Sequence, residues 1–438
     1  MLSAVRRIRA LCLLAVALPA LSHANDIEIH GSNTVGATLA PMLMSGFLSQ
    51  RFGGEVTSRP GQSENEHLLS VSQGSKPVSA RIAAHGSSTG FRALNDGIAD
   101  LWASSRPAKA TEIEALRAQS DLTTADNEHV IAIDGLAILV HPSNPLERIS
   151  IDTLGKIFAG EIDNWAAVGG ADRPIRLYAR DNQSGTWDTF KTLVLGDTYH
   201  LDASAFRYES NDQLSDDVSR DPSAIGFSGL ASVRSSKLLA VSDGDAPALK
   251  PTQLTVASED YPLSRRLFLY SRDDDPKLVN EFLEFAQGQA GQDLVAQSGF
   301  ISQNPIALEV AHDASVPETF RTLTGSYRRL SVNFRFAEGR TRLDNKAHRD
   351  LVRIQDYLER ENKDAADLML IGFADQQSNE LRAQMISELR ALSVSRALRE
   401  LGLPVSAHTG YGHYMPVGSA GGESGARRNG RVEVWVRR

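Results

Sequence analysis

Arg180-Asp181-Asn182-Gln183-Ser184-Gly185-Thr186-Trp187-Asp188-Thr189-Phe190 joins a strand-like run, Ile175 to Ala179, to a helix-like stretch holding Phe190, Leu193 and Val194. A turn of small donors between a strand and a helix belongs to an α/β architecture. The flanking sequence repeats the pattern. Upstream, Val130 to Val140 is a long apolar run stopped by His141-Pro142-Ser143-Asn144-Pro145. Ala99 to Ala103 reads as another strand. Ile27 and Ile29 open a short alternating strand that ends at Gly31-Ser32-Asn33-Thr34, and Leu39, Leu43 and Phe47 follow at helical spacing. Downstream, Phe282, Phe285 and Leu294 mark a late helical pair. This alternation predicts an α/β fold with helix-covered sheets over residues 25–303.

The chain has 438 residues, enough for two or three domains, with 41% hydrophobic and 23% charged residues. Its first 24 residues differ from the rest. Arg6, Arg7 and Arg9 precede an apolar run from Leu11 to Leu21, and Ser22-His23-Ala24 forms a small-x-small cleavage site. That pattern predicts a secretory signal peptide, too short for a membrane span, cut before Asn25. No later stretch reaches the ~18 apolar residues a spanning helix needs. The lone cysteine, Cys12, lies inside the leader. The exported chain is therefore expected to use no disulfide, thiol nucleophile or cysteine-bound metal. The net charge is −8, and removing the leader's +3 leaves −11. Such a balance argues against binding nucleic acid by bulk charge. It also repels anions at long range, so an anion site must rely on local donors. The histidines lack metal-ligand spacing, and no GxxxxGK phosphate loop is present, so no cofactor is expected.

Three small-polar clusters stand where a strand gives way to a helix: Gly31 to Thr34, Gly86-Ser87-Ser88-Thr89-Gly90, and Ser184 to Thr186. Helix N-termini present unpaired N–H groups that suit an anion, and hydroxyls add donors without charge. Arg180 adds a guanidinium fork. Each charge-assisted bond contributes roughly 1.5–3 kcal/mol. Four or five reach about 8 kcal/mol, or micromolar affinity. The plainer reading of any single cluster is a helix cap. The second cluster also fits G-x-S-x-G, the serine-hydrolase elbow, with Ser88 as nucleophile and Asp181 and His200 as formal partners.

Several stretches in residues 25–303 carry a more specific likeness: GSNTV at 31–35, ASSRP at 103–107, IFAGEIDNW at 157–165 with VGG at 168–170, RDNQSGTWDTF at 180–190, IGFSGL at 225–230, YPLSRRLFLY at 261–270 and GFI at 299–301. In that order they resemble the PstS-like periplasmic phosphate-binding proteins of ABC importers. The resemblance implies a two-lobed, type II-like binding-protein fold that closes on phosphate or a similar oxyanion and does no covalent chemistry. Lobe one would be about 25–135 with 258–303, and lobe two about 136–257. The implied ligand residues are Thr34, Ser88, Ser105, Arg106, Arg180, Ser184, Gly185 and Thr186, and an ABC permease becomes a candidate partner. Two departures stand out. The familiar pattern has an aspartate at the position of Ser105, which accepts the proton of hydrogen phosphate and repels sulfate. A serine can accept that proton without the repulsion. Gln62 to Ala84 also reads as an insertion before Gly86.

Residues 304–327 are weakly periodic and read as a linker. In 328–438, Val332, Phe334 and Phe336 alternate, Leu343 to Leu358 forms a helix stripe, and Leu368 to Phe373 is strand-like. Ile386 to Leu401 is a second helix, and Val432, Val434 and Val436 close a β-α-β-α-β unit. IGFAD at 371–375, ISELRA at 386–391 and NGRVEVWV at 429–436 resemble the OmpA-like peptidoglycan-binding domain. That resemblance implies Asp375 on the ammonium and Arg390 on the carboxylate of diaminopimelate. Phe373, Ala374, Ala383 and Gly430 depart from its usual pattern. Together these readings predict a periplasmic oxyanion-binding protein associated with peptidoglycan or the outer membrane. A structural wall protein with a silent front domain is the alternative.

Overall fold

A computed structural model describes residues 25–438 apart from 64, 74–75, 183, 313–315, 337–341, 378, 406 and 421. The expected leader and Gln183 lie outside the described residues. The front domain is mixed α/β, built on an 11-stranded sheet with helices on its faces. In lobe one, Ile27–Gly31 runs parallel to both Lys76–Ala83 and Leu101–Ser104. Ile27 and Ile29 are fully buried while Glu28 and His30 are partly exposed, the alternation their spacing predicts. Leu39, Leu43 and Phe47 pack on that face with Leu101, Leu267 and Phe282. Gln62 to Ala84, read as an insertion, contains the antiparallel strands Glu66–Gln73 and Lys76–Ala83, which widen the sheet.

Glu128–Val140 ties the lobes together. Its first half pairs antiparallel with Ser264–Tyr270, and residues 136–140 pair antiparallel with Ala224–Gly229 of lobe two. A strand that runs through both lobes of the sheet is covered along its length, which explains an apolar run longer than a half-buried strand needs. Beyond it, Arg176–Arg180 lies parallel to Ala224–Gly229 and Phe206–Tyr208. Here Phe190 stacks on Phe227 with centroids 3.9 Å apart, against Phe158 and Trp187. Each such ring contributes roughly 1.5–3 kcal/mol through burial.

The C-terminal domain has a five-stranded sheet, in the order Ala307–Leu308, Tyr327–Arg335, Arg431–Arg437, Leu368–Gly372 and Ala407–Gly410. Helices Asn345–Arg360 and Glu380–Glu400 cover it. Residues 304–327 are more than a connection. Ala307–Leu308 pairs with Tyr327–Arg335, and Phe320 of helix Glu318–Thr324 is fully buried against Phe373, Tyr411 and Trp435. The weak periodicity there reflects elements too short to display a repeat. Among the described residues, no helix is long and apolar enough to cross a membrane.

A candidate anion cleft and a candidate wall-peptide site

Three turns of lobe one are laced together at the ends of its strands. The Ser32 amide donates to the Ala103 carbonyl at 2.8 Å, and the Gly86 amide to the Gly31 carbonyl at 2.7 Å. Gly31 has φ +141°, and a β-carbon there would lie 2.0 Å from the Ala103 oxygen, so this lacing requires glycine. Helices begin just beyond, at Val35 and Ser87. Ser32, Ser87 and Ser105 are all buried. The Ser105 amide donates to Ser87 Oγ at 3.2 Å, and the two hydroxyls are 3.4 Å apart.

Lobe two supplies the opposite wall. Strand Arg176–Arg180 leads into the turn, and helix Gly185–Phe190 starts at Gly185. Ser184 Oγ caps it, accepting from the Trp187 amide at 3.3 Å. The two walls meet here. A β-carbon on Gly185 would lie 2.5 Å from Thr34 Oγ1, 2.7 Å from Ser105 Oγ and 3.4 Å from Ser32 Oγ. Ser184 and Thr186 flank that contact and are buried. Residues 34, 105 and 185, far apart in sequence, therefore converge between closed lobes.

The two arginines are placed differently. Arg180 is buried, its Nε donating to the Tyr208 carbonyl at 3.1 Å and Nη2 to the Glu209 carbonyl at 2.5 Å. Burial, with nearby Arg265, lowers its pKa against the pull of Asp181. Arg106 makes a bidentate pair with Glu112, at 2.8 and 2.7 Å. Burial pushes the Glu112 carboxyl up, but these bonds outweigh it and hold the pKa below its ordinary value. Ser88 is exposed, with its hydroxyl 3.4 Å from Arg106 Nη2. Thr34, Ser105 and Gly185 thus share one point, while Ser88 and Arg106 share another on the rim.

Arg265, which the sequence reading does not single out as a site residue, stands behind the Ser184–Thr186 turn. From strand Ser264–Tyr270 it donates to the Gly185 carbonyl at 2.5 Å and to Thr189 Oγ1. Its Nε and Nη2 meet Asp134 Oδ2 at 2.9 and 2.6 Å. The sequence signal was available: Asp134 interrupts the long apolar run, and two arginines interrupt YPLSRRLFLY. Unpaired charges on buried strands are costly, so they call for partners.

In the C-terminal domain Asp375 follows strand Leu368–Gly372, and Arg390 projects from helix Glu380–Glu400. Arg390 Nη1 donates to the Phe373 carbonyl at 3.0 Å, and its guanidinium sits 5.4 Å from the Phe336 ring centre. Burial lowers its pKa while Asp375 raises it. Asn429 Nδ2 reaches Asp375 Oδ1 at 3.4 Å. A β-carbon on Gly430 would come within 2.8 Å of Arg390 Nη1, so that departure from the usual pattern makes room for the guanidinium.

Residues 57–289 match the family model described as PBP superfamily domain. The chain belongs to that superfamily. Residues 335–430 match the OmpA family, so this member carries an OmpA family domain behind its binding domain. Over 256 residues the chain is 29% identical to the phosphate-binding protein PstS of Borreliella burgdorferi, covering 57% of this chain and 88% of that protein. It is 29% identical over 263 residues to PstS of Pseudomonas aeruginosa, covering 54% and 77%. The crystal structure of an ABC-type phosphate transport receptor from Vibrio cholerae matches with a TM-score of 0.50 at 25% identity, covering 63% of this chain and 99% of that one.

Proposed function

We propose that this protein binds phosphate or a similar tetrahedral oxyanion between its two lobes, in the periplasm, while its C-terminal domain holds peptidoglycan. The observation that carries this reading is the approach of Gly185 to the hydroxyls of Thr34 and Ser105 across the cleft. The donors assigned are Thr34, Ser105, Ser184, Gly185 and Thr186. Ser87 is preferred to Ser88 because it is buried beside Ser105. Arg180 supplies the charge at the end of the strand that feeds the turn. Arg106 acts at the rim, where Glu112 already engages it. Asp375 and Arg390 take the ammonium and carboxylate of the wall peptide. The names of the relatives support phosphate as the guest, and the likeness to the ABC-type phosphate transport receptor supports an ABC permease as a partner. The reading assigns no covalent step to the chain.

Calorimetry on the full chain with phosphate and with sulfate tests it. About micromolar binding of phosphate is expected. Absence of heat with both anions would replace this reading with that of a wall protein whose front domain is silent. A peptidoglycan pull-down should lose the protein on Asp375→Ala or Arg390→Ala, and unchanged retention would reject the wall assignment.

A further inference from the structure

The C-terminal domain is bonded to lobe one, to lobe two, and to the crossing segment, residues 258–266, where the chain returns from lobe two to lobe one. On lobe one, Arg353 donates to Gln303 Oε1 at 3.1 Å, Arg360 to Gln289 Oε1 at 3.0 Å, and Asn345 to the Thr123 carbonyl at 2.9 Å. At the crossing segment, buried Asp260 accepts from Arg329 at 2.7 Å and from Asn333 and Arg335 at 2.9 Å each. Arg266 bridges Glu259 at 2.6 Å and Asp344 at 2.8 Å. On lobe two, helix Gln253–Ala257 at the end of the lobe packs on strand Tyr327–Arg335, and farther out, among the described residues, the polar contact is at Asp243. Asp243 pairs with Arg428 and accepts from the Ser419 amide at 3.1 Å. Gly244 fits beneath Ser419, where a β-carbon would sit 2.6 Å from its hydroxyl oxygen.

Opening a two-lobed cleft rotates one lobe against the other about the crossing strands. A body fastened to lobe one and to those strands cannot follow lobe two, so opening must break the Asp243 contact. We infer that the C-terminal domain latches the cleft: Arg428 and the Ser419 amide, gripping Asp243, hold lobe two closed and slow exchange of its anion. The latch also lies one residue from the candidate wall-peptide site. Asn429, next to Arg428, accepts from the Val417 and Gly418 amides at 2.8 and 3.0 Å and reaches Asp375. A peptide on Asp375 that fixes Asn429 tightens the latch, and by reciprocity a filled cleft favours the peptide.

The latch rests on the proposed cleft closing as assigned, yet it can be tested without a ligand. In the full chain with Cys12→Ser, spin labels are placed at Gln119→Cys in lobe one and Asp197→Cys in lobe two. Electron–electron distances are then measured without anion. The expected result is one short, narrow distribution that becomes longer and broader on Asp243→Ala, and likewise on Arg428→Gln, which checks the other side of the contact. An open anion-free parent, or distributions unchanged by both substitutions, overturns the latch. With phosphate present, release should quicken about tenfold in either variant, the scale of one charge-assisted contact. A parent that closes but takes no phosphate defeats the proposed ligand and leaves the latch standing.

Discussion

The cleft and the seam between the two domains are both polar and buried, yet they are built from opposite materials. Across the cleft the groups that meet are mainly hydroxyls and a glycine, Thr34, Ser105 and Ser32 against Gly185, with one guanidinium, Arg265, behind the turn on the Gly185 carbonyl. At the seam they are charges, with Asp260 held by Arg329 and Arg335, and Arg431 beside Glu433. Neutral donors attract one another weakly, so a guest that offers better acceptors can displace their mutual contacts. Buried charges that satisfy each other leave no such opening, and separating them exposes each to a large desolvation cost. One surface is suited to exchange a ligand and the other to stay shut.

The sharpest way to break this contrast is to take the anion out of the seam. Asp260→Asn leaves Arg335 buried without its paired carboxylate and Arg329 with Glu433 alone, at 3.3 Å. The expected cost is about 3–5 kcal/mol. Urea unfolding of the full chain should show it as an early transition of the seam. An unchanged curve would mean that the seam charges are as weakly coupled as the cleft hydroxyls. Burial alone would raise the Asp260 pKa, but Arg329, Arg431 and Arg335 outweigh it and depress the value. The stabilisation is therefore present above the unfolded pKa and lost only as pH falls through the lower folded one.

Acid should reach the seam through His129 first. That ring lies buried in strand Glu128–Val140, with Nδ1 accepting from Gln287 Nε2 at 2.7 Å and Nε2 directed to Ser271 Oγ at 3.0 Å. Burial, then the charge of Arg349 in the C-terminal domain, lowers its pKa to about 4. A base depressed in the fold is favoured neutral there and protonated when unfolded. Stability is thus full above the ordinary value near 6.5 and is lost as pH falls from there to about 4. The loss should approach about 3 kcal/mol. Unfolding midpoints between pH 7 and 4 measure it, and His129→Gln should flatten the profile. An equally steep profile in the variant would place the acid-sensitive group elsewhere.

The two regions also differ in how they could be read from sequence. The cleft turns were legible because glycine and hydroxyls sit where strands end, and that chemistry is local. Convergence was not, since nothing in residues 31–34, 103–106 and 184–186 encodes their mutual distance. Ser88 shows the limit: one residue along a helix start turns a hydroxyl from the cleft to the surface, and Ser87 is the buried one. The seam was nearly invisible. Arg329, Arg335 and Arg431 look like ordinary surface positions on alternating strands until a second domain covers that face. Helix Glu318–Thr324 escaped detection because seven residues make only two turns, too few for a period.

Gly185→Ala sharpens the comparison from the cleft side. Its added methyl meets Thr34 Oγ1 and Ser105 Oγ inside contact distance. Because the clash lies between lobes, it props the cleft open without disturbing either core. Overpacking of this kind costs about 1–3 kcal/mol. Phosphate binding should weaken about tenfold to a hundredfold while the urea midpoint holds. Retained affinity would show that the guest is not gripped at this contact.

The smallest effect is expected at the rim, where Arg106 reaches the Ser88 hydroxyl at 3.4 Å. Arg106 is already spent on Glu112, and its guanidinium rests 5.7 Å from the Trp102 ring centre. Replacing Arg106 alone would strand a buried carboxylate, so the informative change is the pair Arg106→Gln with Glu112→Gln, which removes both charges together. A partly exposed ion pair is worth about 0.2–1 kcal/mol, and its removal should shift phosphate affinity by no more than about fivefold. Calorimetry on the double variant beside Gly185→Ala makes the contrast direct. If the double variant loses more affinity than the added methyl, long-range charge rather than fitted neutral donors governs the cleft, and the distinction from the seam fails.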